Sequence, residues 1–231
     1  MQGSLDLVKT FTEQMSKADY KNKEVVICPP SIYLQSFAVN KCNFKLGVQN
    51  IYQLNNGAFT GEISAFMAKE CGAKYVIIGH SERRTIFNET NSEILAKINI
   101  SLKAGLVPIF CIGESHEDFQ SNMLEQTLST QLDILSYLDD AWKGSKIIIG
   151  YEPVWAIGTG LVPSDNDILK AHTFIATYLR AANFHLNFSI IYGGSVNDAN
   201  AQSILNIKYV DGLLIGGASL DVQKVINILS I

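Results

Sequence analysis

The sequence predicts an α/β fold of the parallel kind, a (β/α)8 barrel whose first β-strand is absent from these 231 residues. Three observations predict it. Short, continuously apolar, β-branched runs recur along the chain. Segments with helical spacing separate them, and a helix rather than a strand opens the sequence. Continuous apolar runs suit strands covered on both faces, and strands joined by helical crossovers run parallel.

In chain order, Leu5, Val8, Phe11 and Met15 share one face of an opening helix. VVIC (25–28) and LGVQN (46–50) are the first two strand candidates, and Gly72 stops the helix before the third, YVIIG (75–79). Ile94, Leu95, Ile98 and Leu102 mark the next helix, stopped by Gly105 before VPIFC (107–111). Phe119, Met123, Leu124 and Leu128 read as one further helix, followed by KIIIGY (146–151). Ser164 is a cap candidate for a helix bearing Ile168, Ile175 and Leu179, and FSIIYG (188–193) and GLLIG (212–216) complete the set. A parallel sheet of this kind is either open and doubly wound or closed as an eight-unit barrel. Seven strand candidates behind an opening helix become eight units once a strand is placed upstream, which favours the barrel. No composition break divides the series, so residues 1–231 are expected to form a single domain.

Charge and cysteine usage exclude several function classes. Lys and Arg total 18 against 22 Asp and Glu, a formal charge of −4 that would repel a polyanionic backbone or an acidic membrane. No nucleic acid and no membrane partner is therefore expected. Cys28, Cys42, Cys71 and Cys111 are widely spaced without a CxxC, so neither a zinc site nor a disulfide framework is indicated. With no apolar run of membrane-spanning length and no basic-then-apolar start, the expected location is cytoplasmic.

In parallel α/β folds the reactive groups collect beyond the C-terminal edges of the strands. His80 follows the third strand candidate, Glu152 the fifth, Gly194-Ser195 the sixth and Gly216-Gly217 the last. A carboxylate and an imidazole from separate strands make an acid and base pair if they face one another. Each also has a structural reading: a hydrogen-bonded core histidine for His80, and an ion pair with Arg83 or Arg84 for Glu152. His116, His172 and His185 read as surface or packing residues. Pro153-Val154-Trp155 stiffen the chain after Glu152 while Gly158 and Gly160 loosen it, the pattern of a lid that excludes water. Glycine pairs at 193–194 and 216–217, on the last two strands, permit close approach by a phosphate. Gly158-Thr159-Gly160 is no dinucleotide fingerprint, because Pro163 occupies the third glycine position.

The phrases GAFTGEIS (57–64), GHSERR (79–84), YEPVWAIGTG (151–160), YGGSV (192–196) and DGLLIGGASL (211–220) together closely resemble the triosephosphate isomerase family, from Gly3 to the end of the chain. The resemblance implies a TIM barrel that interconverts dihydroxyacetone phosphate and glyceraldehyde 3-phosphate through an enediolate. It also implies that Glu152 is the proton-moving base and that His80 is a neutral electrophile. Ser81 and Glu82 would support it by opening a helix there. Gly158, Ser195, Gly216 and Gly217 would grip the substrate phosphate. The resemblance implies no metal or organic cofactor, and a homodimer formed through the 57–64 loop.

Three departures stand out against the family pattern. The Asn-x-Lys that ends the family's first strand is absent, with Met1-Gln2-Gly3 aligning just after it; Leu161 replaces a basic lid residue; and Ala176 replaces an arginine that pairs with the acid at Asp211. Losing the Asn and Lys removes donors to developing negative charge. A start at an internal methionine of a longer enzyme is therefore expected. The alternative is an inactive, N-terminally truncated barrel that binds a phosphorylated ligand or a partner.

Overall fold

The apolar runs form strands in the expected places. The computed structural model describes residues 1–20, 22–40, 43–157 and 161–231. Within them lie β1 (Val26–Ile27), β2 (Lys45–Val48), β3 (Ala73–Ile78), β4 (Val107–Ile112), β5 (Lys146–Tyr151), β6 (Asn187–Tyr192) and β7 (Gly212–Leu213). Every neighbouring pair is parallel, and the strand order across the sheet is the chain order. Among the described residues β1 and β7 are thus edge strands, each paired on one side. This is the expected α/β architecture: a seven-stranded parallel sheet entered through a helix.

That helix, α1 (Leu5–Met15), is capped by Ser4, whose side chain accepts the Leu7 N–H, and it buries Val8, Phe11 and Met15. Between the strands come α2 (Leu34–Ala38), α3 (Ala65–Glu70), α4 (Ser81–Thr85), α5 (Asn91–Lys103), α6 (His116–Gln120), α7 (Leu124–Leu132), α8 (Asp165–Ala182) and α9 (Ala201–Leu205). α10 (Val222–Leu229) closes the chain. Thr90 with Glu93 and Ser164 with Asp167 form reciprocal capping boxes at the starts of α5 and α8. The segment expected as one helix from Phe119 to Leu128 is two. Asn122 adopts the left-handed conformation (φ 56°) after Ser121, ending α6, and Met123 stands just before α7.

Alternation along the strands sorts their side chains into two layers. Tyr75, Ile109 and Ile148 cluster on one face with Val26, Ile77, Val107 and Ile191. Val76, Ile78, Phe110, Ile112, Ile147, Ile149 and Ile190 join Ile94, Ile98, Leu128, Ile168 and Ile175 of the helices. At the N-terminal end of the sheet Glu24 takes the Tyr75 hydroxyl (2.7 Å) and contacts Lys45 and Lys146. Chiefly through the Lys45 hydrogen bond, its carboxyl is pulled down to about 2.

Lys97 of α5 is 5% exposed, and its ammonium bonds Asn50 Oδ1 (2.8 Å) and the Glu89 carboxylate, which Arg83 Nε also reaches at 3.2 Å. Burial lowers the Lys97 pKa while Glu89 opposes that shift. Lys97→Ala would leave Glu89 buried beside one partly exposed arginine. Removing one member of a buried pair costs about 3–5 kcal/mol, and urea unfolding of the variant should show a loss of that size.

Candidate functional site

Beyond Ile78 the chain turns at Gly79, whose φ of +69° suits glycine and whose added Cβ would lie 2.9 Å from Ile94 Cδ1. The turn delivers His80 as the N-cap residue of α4. Arg84 fixes the geometry from below. Its guanidinium donates to Gly79 O (2.9 Å), Asn91 Oδ1 (2.8 Å) and Cys111 O (3.3 Å), tying the ends of β3 and β4 together.

Glu152 follows β5 directly and is 2% exposed. Its N–H donates to Ile112 O at 2.8 Å. Its carbonyl passes so close to Gly113 that a Cβ there would sit 1.7 Å away, so no other residue fits. The Gln131 side-chain amide holds both the N–H and the carbonyl of Gly113, at 2.8 and 3.0 Å. The carboxylate is satisfied at both oxygens: Oε1 lies 2.9 Å from His80 Nε2, and Oε2 accepts the Ser81 N–H at 2.9 Å. Carboxylate and imidazole, predicted from separate strand ends, thus meet at hydrogen-bond distance. Arg83 and Arg84 take other partners, so among the described residues the ion-pair reading of Glu152 has no counterpart.

The Glu82 N–H points at His80 Nδ1 (3.3 Å), an interaction only an unprotonated nitrogen can accept, which puts the imidazole proton on Nε2 facing Glu152. Burial lowers the His80 pKa, but the Glu152 hydrogen bond and charge, with a smaller contribution from Glu82, raise it above 6.5 overall. The expected neutral imidazole is therefore opposed while Glu152 is docked against it. Ser81 is buried and Glu82 is exposed.

Ser195 is exposed in the turn after β6, where its carbonyl accepts Asn200 Nδ2 at 2.9 Å. Gly216 and Gly217 are exposed beyond β7, with no atom within 4 Å of where a Cβ would stand. Ser195 N–H, Gly216 N–H and Gly217 N–H donate to no acceptor among the described residues. The pair at 193–194 has an internal cause as well. A Cβ on Gly193 would lie 3.1 Å from Glu152 Cγ and one on Gly194 2.0 Å from the Tyr192 hydroxyl, so the protein's own side chains demand these glycines. Gly158, with Thr159 and Gly160, lies outside the described residues, as does Cys42.

Glu114 escaped the sequence reading. It is 1% exposed, and its Oε1 accepts both the Tyr151 hydroxyl (3.0 Å) and the Trp155 indole N–H (2.6 Å), from either side of Glu152. Burial pushes its pKa up. The strand-end rule that singled out Glu152 after β5 applies equally after β4 and would have found Gly113-Glu114. Among the described residues no group of three His, Cys, Asp or Glu side chains is placed to hold a metal ion, and no helix is long and apolar enough to cross a membrane.

The family model described as triosephosphate isomerase matches residues 1–231. A triosephosphate isomerase of Francisella philomiragia is 40% identical over 229 residues, covering 97% of this chain and 90% of the relative. One of Francisella tularensis subsp. novicida is 41% identical, covering 98% and 93%. One of Ruthia magnifica is 43% identical, covering 91% and 86%.

Because the folded-state pKa of His80 is raised, the stability it contributes is present below pH 6.5 and is lost as pH rises through the raised value. Glu152→Gln removes the charge that raises it and leaves burial as the largest influence. Imidazole NMR of that variant should show the His80 midpoint moving downward; an unmoved midpoint would contradict the assigned contact.

Proposed function

Because the chain belongs to the triosephosphate isomerase family, we propose that it interconverts dihydroxyacetone phosphate and glyceraldehyde 3-phosphate, with Glu152 as the base and His80 as the hydrogen-bond donor to the substrate oxygens. The observation that carries this reading is the 2.9 Å contact between Glu152 Oε1 and His80 Nε2, from the ends of β5 and β3.

In the described arrangement both groups are occupied with each other, and Ser81 holds the second carboxylate oxygen. This is a resting state. A substrate carbonyl that draws the Nε2–H of His80 to itself frees Oε1, and the carboxylate then takes the proton from the adjacent carbon. The pair of electrons left on that carbon moves into the enediolate, whose oxygen receives the His80 hydrogen bond. Glu152 returns the proton to the neighbouring carbon while the hydroxyl proton on the first oxygen passes to the second through His80 Nε2, leaving the new carbonyl and the new hydroxyl and completing the isomerisation. With Glu152 turned to substrate, the influence that raised the His80 pKa weakens, while burial and the start of α4 favour the neutral ring. Neutral imidazole is the useful form because it donates a hydrogen bond without first surrendering a charge.

The phosphate is assigned to the unoccupied N–H groups of Ser195, Gly216 and Gly217, which the open space beside the two glycines leaves accessible. A homodimer through the 57–64 loop is part of the same reading, supported by Phe59, exposed and tilted against Tyr52 at 4.5 Å, and by exposed Leu54, Ile86 and Phe87. The cytoplasm is the proposed location.

Turnover of dihydroxyacetone phosphate, followed through oxidation of the aldehyde product, tests the proposal directly; no turnover by the folded protein would overturn it. Glu152→Gln should lower kcat by on the order of 10²–10⁴ and leave inorganic phosphate affinity within about twofold. His80→Gln should lower kcat by on the order of 10²–10³, with a much smaller change in KM. Sedimentation equilibrium should give twice the 25.4 kDa chain mass, reverting toward one chain in Phe59→Asp.

A further inference from the structure

On its β4 side the chain around Glu152 is met by residues 112–119, contact by contact. Ile112 O accepts the Glu152 N–H, Gly113 lies against the Glu152 carbonyl, and Glu114 bonds Tyr151 and Trp155. The last member is aromatic. Phe119 of α6 lies face to face on Trp155, with ring centroids 3.9 Å apart and planes inclined by 17°. Trp155 is 5% exposed and Phe119 is 38% exposed, so the phenyl ring covers the indole from the solvent side. α6 is itself held by a reciprocal cap in which Ser115 accepts the Asp118 N–H and the Asp118 carboxylate accepts the Ser115 N–H. The ring is therefore presented by a fixed element.

Trp155 stands three residues after Glu152, across Pro153, whose ring restricts the intervening backbone. A stack on Trp155 is thus transmitted to the position of the Glu152 backbone with little slack. We propose that Phe119 is a positioning residue for Glu152, acting through the face of Trp155. The inference rests on the reading of Glu152 as the base. It assigns Phe119 no contact with substrate. The ring holds the strand end so that the carboxylate meets His80 and Ser81 at rest and returns to a productive place during turnover.

The experiment compares Phe119→Ala, Phe119→Leu and Phe119→Tyr in a Trp142→Phe background, where Trp155 is the single tryptophan of the two in the chain. Phe119→Leu keeps an apolar side chain on α6 but no ring, and Phe119→Tyr keeps the ring. The Ala and Leu variants should change Trp155 emission and lower kcat by roughly two- to tenfold, the range a stacked pair supplies, with KM within about twofold. The His80 imidazole midpoint should move down toward 6.5, because Glu152 spends less time docked against it. The Tyr variant should restore all three readings. A purely structural role would lower the melting temperature while leaving the split between kcat and KM and the His80 titration untouched, and that result overturns the inference. A Tyr variant as impaired as Ala overturns it too. Absence of turnover in the wild type sinks the proposed function alone. The His80 titration then still decides about Phe119, downward movement supporting the positioning and no movement overturning it.

Discussion

A carboxylate taken almost wholly out of water must have its oxygens answered by donors, since burying an unpaired charge costs far more than one surface contact can return. Glu152 has two such donors, His80 Nε2 and the Ser81 N–H, each at 2.9 Å. Much of the upper rim of the sheet follows from that requirement. The Ser81 N–H is available because it belongs to the first turn of α4, where backbone donors have no intrahelical acceptor. α4 begins there because Gly79 turns the chain and Arg84 bonds the carbonyls of Gly79 and Cys111. The proposed base therefore depends on groups that never approach its substrate.

The same economy governs the backbone. At the end of β5 the Glu152 carbonyl lies against Gly113, and its side chain lies against Gly193. Two neighbouring strands thus give up their side chains so that one glutamate can fit between them. Gln131 and Glu114 then hold the space open by bonding groups on both sides of it. Packing and positioning are hard to separate here: residues that fill gaps also set where the Glu152 carboxylate stands.

Much of this was legible in the sequence because the signals were local. All seven strands and the caps at Ser164 and Gly105 came from apolar runs and chain breakers, whose effects reach only a few residues. The meeting of His80 and Glu152 was legible as well, since parallel strands deliver their ends to one edge. Features that depend on what lies across space were not. Apolar spacing runs unbroken from Phe119 to Leu128, and only the left-handed Asn122 divides it. The glycines at 193–194 announced a need for room without saying that Glu152 and Tyr192 create it. A neutral His80 was implied by the resemblance and favoured by the start of α4, whereas the docked carboxylate, which lies across space, raises its pKa overall. Ala176, in place of an arginine, is buried, and Asp211 instead accepts the Ile190 N–H through its side chain at 2.7 Å.

Strand order across the sheet matches order of synthesis without exception from β1 to β7. No strand has to be threaded between two that are already in place, and each new one finds its partner as the last strand the ribosome released. Assembly can therefore advance vectorially while the polypeptide is still emerging, with each finished unit serving as the template for its successor.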